Sequence, residues 1–174
     1  KAEPEFIGHA IDEAIRLDRD DSEAADLVYQ KITRRFMQAF LPIYKKSGGT
    51  QGFVTMQDDP RRDYDPAFIL KYATRHKEVG QNYMAKIPVI KPGMDAMAEL
   101  IERNLPICAT ESFSIAQFTA MCELYEKVSS ACGKRPPFFI THITGIYDED
   151  IQEYVKKNKV DIDPAILKQA GCIV

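Results

Sequence analysis

An α/β fold built on a parallel sheet follows from three features of this 174-residue chain. Four short apolar runs appear after residue 50, and each is followed by a stretch with helical spacing. The runs begin near 52, 83, 106 and 138, a repeat of about 29 residues, as strand–helix units usually run. The glycine patterns GxGxxG and GxxxxGKS/T, which mark nucleotide-binding sheets, occur nowhere. Parallel neighbours need a crossover long enough to hold a helix, so four such units in a row predict a parallel sheet. The missing glycine patterns count against an open doubly wound sheet but do not by themselves establish a barrel.

The elements follow in order. Pro4 suits a first helical turn, and Phe6, Ile7, Ala10, Ile11, Ala14, Ile15 and Leu17 recur at three- and four-residue spacing. Asp20-Asp21-Ser22 interrupts that pattern, with Ser22 the expected N-cap of a second helix. That helix carries Ala25, Leu27, Val28, Ile32, Phe36, Phe40, Leu41 and Ile43 on an apolar face and stops at Ser47-Gly48-Gly49. The four units are then a strand at Gly52–Met56 with a helix over 66–79, a strand at Tyr83–Pro88 with a helix from Pro92-Gly93 to Arg103, a strand at Pro106–Thr110 with a helix over 114–131, and a strand at Phe138–Ile143 with a helix over 148–157.

Composition narrows the function. Net charge is −3 with lysines and arginines scattered along the chain, so no basic footprint suggests nucleic acid or an anionic membrane surface. No apolar run approaches the ~18 residues of a membrane span. Cys108, Cys122, Cys132 and Cys172 form no CxxC pair, and with His9, His76 and His142 they show no metal-ligand spacing. Reduced thiols of a cytoplasmic protein are the expectation, and no metal site. The chain opens Lys-Ala-Glu-Pro-Glu without an initiating methionine, as a segment starting inside a larger protein would.

Lys86 is the residue most suggestive of chemistry. It stands between apolar neighbours in Tyr83-Met84-Ala85-Lys86-Ile87-Pro88, near the end of a strand. Desolvation of a lysine favours its neutral form, and the neutral amine is the form that attacks a ketone to make an imine. A strand-end lysine that merely snorkels to water fits the same pattern.

Three segments carry a resemblance that separates these readings. Lys86-Ile87-Pro88-Val89-Ile90-Lys91-Pro92-Gly93-Met94-Asp95-Ala96, with Leu100, resembles the lysine segment of the transaldolase family. Cys108-Ala109-Thr110-Glu111-Ser112-Phe113-Ser114-Ile115-Ala116-Gln117 resembles that family's next strand, and Val54-Thr55-Met56-Gln57-Asp58-Asp59-Pro60-Arg61 its third. The resemblance covers roughly residues 50–170. It implies a parallel (β/α) TIM-type barrel of which this chain holds about four central units. Residues 1–49 would then be the helical connection before the third barrel strand, and 50–174 the central units. It further implies a Schiff-base enzyme without cofactor that transfers or cleaves a dihydroxyacetone-type unit of ketose sugars, with a ketose or sugar phosphate as small-molecule partner; the alternative is a non-catalytic scaffold or binding protein of the same fold that has lost the phosphate clamp. Completion by other parts of the chain or by a second copy is expected, because the family's closed barrel has eight strands.

The resemblance assigns Lys86 as the imine-forming residue, Thr110 as the hydroxyl that positions a catalytic water, and Gln57 as the occupant of a place where the family has a glutamate. Phe113, Ser114 and Gln117 match the family but read as packing and helix-start residues. The departures bear on chemistry. The amide of Gln57 can orient water but cannot accept a proton. Cys108 stands where the family has an asparagine beside the lysine. Ile140-Thr141-His142-Ile143-Thr144-Gly145 replaces a serine- and arginine-bearing segment that binds phosphate, and it holds no arginine for a bidentate clamp. Thr141 takes the serine's place if one residue is gapped, and His142 reads either as a polar group in the barrel mouth or as a core histidine with its own hydrogen bond. Glu111, next to Thr110, is placed by strand alternation on the opposite face unless the strand has already ended.

Overall fold

A computed structural model describes residues 4–17 and 20–169. Helices α1 (Pro4–Arg16) and α2 (Asp21–Lys46) come first. Strands β1 (Val54–Met56), β2 (Tyr83–Pro88), β3 (Ile107–Ser112) and β4 (Phe138–His142) then alternate with helices α3 (Pro66–His76), α4 (Lys91–Glu102) and α5 (Ile115–Cys132). Helices α6 (Gly145–Asn158) and α7 (Pro164–Leu167) follow β4. Short 3-10 turns lie at Pro60–Arg62 and Lys77–Val79. The four strands form one sheet in chain order, β1-β2-β3-β4, and every pair is parallel. The expected sheet is therefore present, with each helix serving as the crossover to the next strand.

The helix-facing side of the sheet is the core. Met56, Ala85, Ile87, Ile107 and Ala109 pack with Ile69, Met97, Leu100, Ile101 and Met121, all nearly inaccessible to water. Each buried side chain of this size contributes roughly 1.5–3 kcal/mol of transfer free energy, so this layer supplies most of the driving force. Asn82 is the buried polar clasp: its amide donates to the carbonyls of Met37 (3.0 Å) and Gly52 (2.9 Å), fastening α2 to the entry of β1. Gly93, in the first turn of α4, must be glycine, because a Cβ there would overlap the Pro88 carbonyl oxygen.

Several local expectations are corrected. Asp20, not Ser22, caps α2 by accepting from the Glu23 N–H, since a carboxylate at that place also opposes the helix dipole. The expected apolar face of α2 is not buried: Phe36, Phe40 and Ile43 are exposed, while Thr33 and Met37 are the buried positions. Helix α6 begins at Gly145, three residues before the expected Asp148. The helix after β2 starts at Lys91, and the expected helix over 66–79 tightens into a 3-10 turn at Lys77. Cys108, Cys122 and Cys132 are free thiols, and Cys172 lies outside the described residues.

Candidate functional site

The opposite side of the sheet carries the polar groups. Strand register sets Lys86 beside Cys108, and Pro88 beside Thr110, on neighbouring parallel strands. Side chains two apart along a strand share a face, so Met84 and Lys86 on β2 and Cys108 and Thr110 on β3 line the inner side together. A groove of about 390 Å³ runs along it, walled by Thr55, Met84, Cys108, Phe139 and Thr141. Lys86 lies at the upper, C-terminal end of this face, where α/β proteins gather their sites.

Lys86 Nζ donates to Gln57 Oε1 at 2.5 Å, and Glu111 Oε1 lies 3.8 Å from the same nitrogen. The lysine side chain keeps 34% of its surface exposed, so a small molecule can reach the amine. Gln57 follows β1 directly, and its backbone N–H makes a long contact, 3.4 Å, to Tyr29 Oη of α2. Thr110 Oγ1 accepts from Thr141 Oγ1 at 3.0 Å, linking β3 to β4 on the inner side. Cys108 is buried, and burial pushes its thiol up while the nearby Lys86 charge pulls it partly back. It is therefore a neutral, small side chain beside the amine.

Two expectations fail here. His142 does not reach the inner side: its ring stacks on Phe118 of α5, 6.3 Å between centroids, and its Nε2 has no partner among the described residues. Glu111 is not on the outer face. It has φ +57, in the left-handed region, and the β3–β4 register slips by one residue there. Ala109 pairs with Ile140 and Ser112 with His142, so Thr110 and Glu111 together stand opposite the single Thr141. This is a bulge, and it restores the alternation of β3 one residue late, sending Ser112 outward and Glu111 inward, while His142 faces outward by the regular alternation of β4.

Acidic groups missed in the sequence lie behind the lysine. A cleft of about 570 Å³ is bordered by Tyr29, Gln57, Asp58, Asp59, Tyr72 and Glu111. Both carboxyl oxygens of Asp58 are buried without a partner among the described residues, and desolvation, aided by repulsion from Asp63, raises its pKa to about 6. Asp63 is raised as well, first by burial and then by Glu111, with Lys86 opposing. Asp59 goes the other way, to about 2, because the Arg61 guanidinium bonds it. The larger groove nearby, about 770 Å³, lies outside the sheet, where Arg61 and Arg62 are already paired with Asp59 and Asp65. Beneath the cleft Asp26 and the fully buried His76 bond at 2.5 Å, and Arg75 bonds Glu23 at 2.7 Å. The short spacing Gln57-Asp58-Asp59 could have signalled this acidity, because three polar residues directly after an apolar strand mark its functional end.

A family model described as Transaldolase/Fructose-6-phosphate aldolase matches residues 3–163. The chain belongs to this family. The family fold is a TIM barrel, and the four parallel strands are part of one. Among curated relatives, the transaldolase family member from Thiobacillus denitrificans, named Transaldolase, is 28% identical over 133 residues, 73% of this chain and 36% of that protein. Transaldolase 1 of Streptomyces coelicolor is 29% identical over 122 residues, 68% of this chain and 29% of that protein. The Transaldolase of Renibacterium salmoninarum is 31% identical over 110 residues, 60% and 29% of the two chains. The chain thus spans about a third of the length of these transaldolases. No helix among the described residues is long and apolar enough to cross a membrane.

Proposed function

We propose that the protein is a transaldolase-like Schiff-base enzyme in which Lys86 binds the carbonyl of a ketose as an imine. The observation that carries this reading is the lysine's place: at the C-terminal end of a parallel strand, accessible, and flanked by Gln57 and Glu111. A protonated imine draws electrons from the adjacent carbon–carbon bond, so cleavage leaves a three-carbon enamine on Lys86. Passing that unit to an aldehyde is transfer, the activity in the names of the relatives; releasing it is simple cleavage. The partner is a small ketose or sugar phosphate of cytoplasmic carbohydrate metabolism, and no cofactor enters. The inner face, with Phe139 exposed beside Thr141, would be closed by other parts of the chain or a second copy, because β1 and β4 have no outer strand among the described residues.

Thr110 fits the role of holding a water near the imine, since Thr141 donates to it and leaves its own proton free to donate onward. A second reading, a non-catalytic scaffold, is favoured by Gln57 and by the absence of an arginine between Ile140 and Gly145. One experiment separates them. Borohydride added to the full-length protein with dihydroxyacetone should fix a secondary amine on Lys86, seen as added mass on one peptide. Lys86→Arg should abolish it, because a guanidinium stays protonated. Absence of any adduct decides for the scaffold.

A further inference from the structure

In the β3 bulge the backbone places Glu111, a residue with a side chain larger than glycine, in the left-handed region. Such a conformation costs on the order of 1–3 kcal/mol, and strain of this kind collects at functional sites. What it achieves is specific: a carboxylate that alternation would bury among helices is turned to within 3.8 Å of Lys86 Nζ. The other close partner of that nitrogen, Gln57, is an amide and cannot take up a proton. We propose that Glu111 is the catalytic acid and base that moves protons for the Lys86 imine, a role that rests on the Schiff-base reading above.

The steps balance without any further reactant. The Lys86 amine bonds to the ketone carbon, and a nitrogen proton passes to the oxygen, giving a hydroxyl on the carbon attached to Nζ. A hydroxyl there lies within hydrogen-bond reach of a carboxyl group 3.8 Å from the nitrogen. Glu111, as the acid, protonates it; water leaves, and the nitrogen lone pair forms the C=N bond. Glu111, now a carboxylate, takes a proton from the neighbouring carbon. The C–H electron pair becomes the C=C bond of an enamine, and the C=N pair returns to nitrogen. Asp63 is the competing acid, since it interacts electrostatically with both Glu111 and Lys86 and one of its oxygens is buried without a partner among the described residues.

Two readouts on the full-length protein with dihydroxyacetone as probe test this. Borohydride trapping reports the bond to Lys86, and loss of α-C–H signal in heavy water, corrected with Lys86→Arg, reports proton transfer. Glu111→Gln should still be trapped at Lys86 on long incubation but exchange at least about 100-fold more slowly, the span of general acid–base catalysis. Glu111→Asp should recover part of the exchange, which a merely structural residue would not do, and Asp63→Asn should stay within about threefold of the wild type. Trapping with undiminished exchange in Glu111→Gln overturns the role of Glu111 alone, as does collapse of exchange in Asp63→Asn with Glu111→Gln unaffected. No adduct in the wild-type protein overturns the Schiff-base reading and this role with it.

Discussion

The hydroxyl of Thr141 donates to that of Thr110 across the β3–β4 boundary, 3.0 Å apart, at the level where two residues of β3 face one of β4. It is a side-chain bond holding the two strands together where the ladder is broken. Thr141→Val keeps the shape and removes the donor, leaving Thr110 short of one partner. The expected loss is about 1 kcal/mol, the net worth of such a bond. Urea titration should show a lower midpoint with unchanged slope, and borohydride trapping at Lys86 should persist.

Asp58 sets a pH dependence of known sign. Its folded pKa is raised from the ordinary 3.8 to about 6, so the folded state holds the proton more tightly than the unfolded chain does. Stability from this group is fully present below pH ~4 and is lost as pH rises through about 6. Asp58→Asn cannot ionise and escapes that loss. It should match the wild type near pH 4 and be the more stable protein above pH 6. Denaturation at several pH values checks this; equal pH profiles for the two proteins would refute it.

Glu111→Gly should separate stability from chemistry. Glycine adopts φ +57 without strain, although it also loosens the unfolded chain. These effects nearly offset, and removing a carboxylate that repels Asp63 favours the variant. The expected result is a protein as stable as the wild type or up to about 1 kcal/mol more so, with α-proton exchange lost. A loss of several kcal/mol would mean that the Glu111 side chain holds the bulge rather than the bulge presenting the side chain.

Gly93→Ala should be costly despite its small size. The added methyl overlaps the backbone oxygen of Pro88 and also presses on Ile87, two residues from Lys86 in sequence or nearer. Backbone cannot yield as a flexible side chain does, so α4 must shift away from the end of β2. A loss of about 1–3 kcal/mol is expected, the usual range for overpacking. Thermal unfolding measures it, and reduced trapping at Lys86 would register the displaced strand end.

The sheet was legible in the sequence because its signals are local and periodic: Tyr83–Pro88 and Phe138–His142 are apolar runs between clear breaks. That Lys86 stands beside Gln57 and on the same face as Thr110 was legible through motif, and Ser114 with Gln117 through the capping box they form. The apolar pattern of α2 misled, since periodicity tells that one side is apolar and not what will cover it. His142 misled for another reason. Alternation within β4 alone sets it on the face opposite Thr141, so the two could not both point inward. The register slip in β3 hid Glu111, and the acidic group around Asp58 and Asp63 arises from residues brought together by the turn after β1.

A sheet laid down in the order β1-β2-β3-β4 lets the chain fold as it grows. Each strand finds its partner in the unit just synthesised, so loop closure never spans more than one crossover, and a modest sequence separation of contacts favours fast assembly. The inner face is made in the same order. Gln57 emerges from the ribosome before Lys86, and Glu111, which turns toward the amine, arrives last, on the third strand. A newly made chain therefore has Lys86 in place before Glu111, and the fourth strand, which pairs across the bulge, arrives after both.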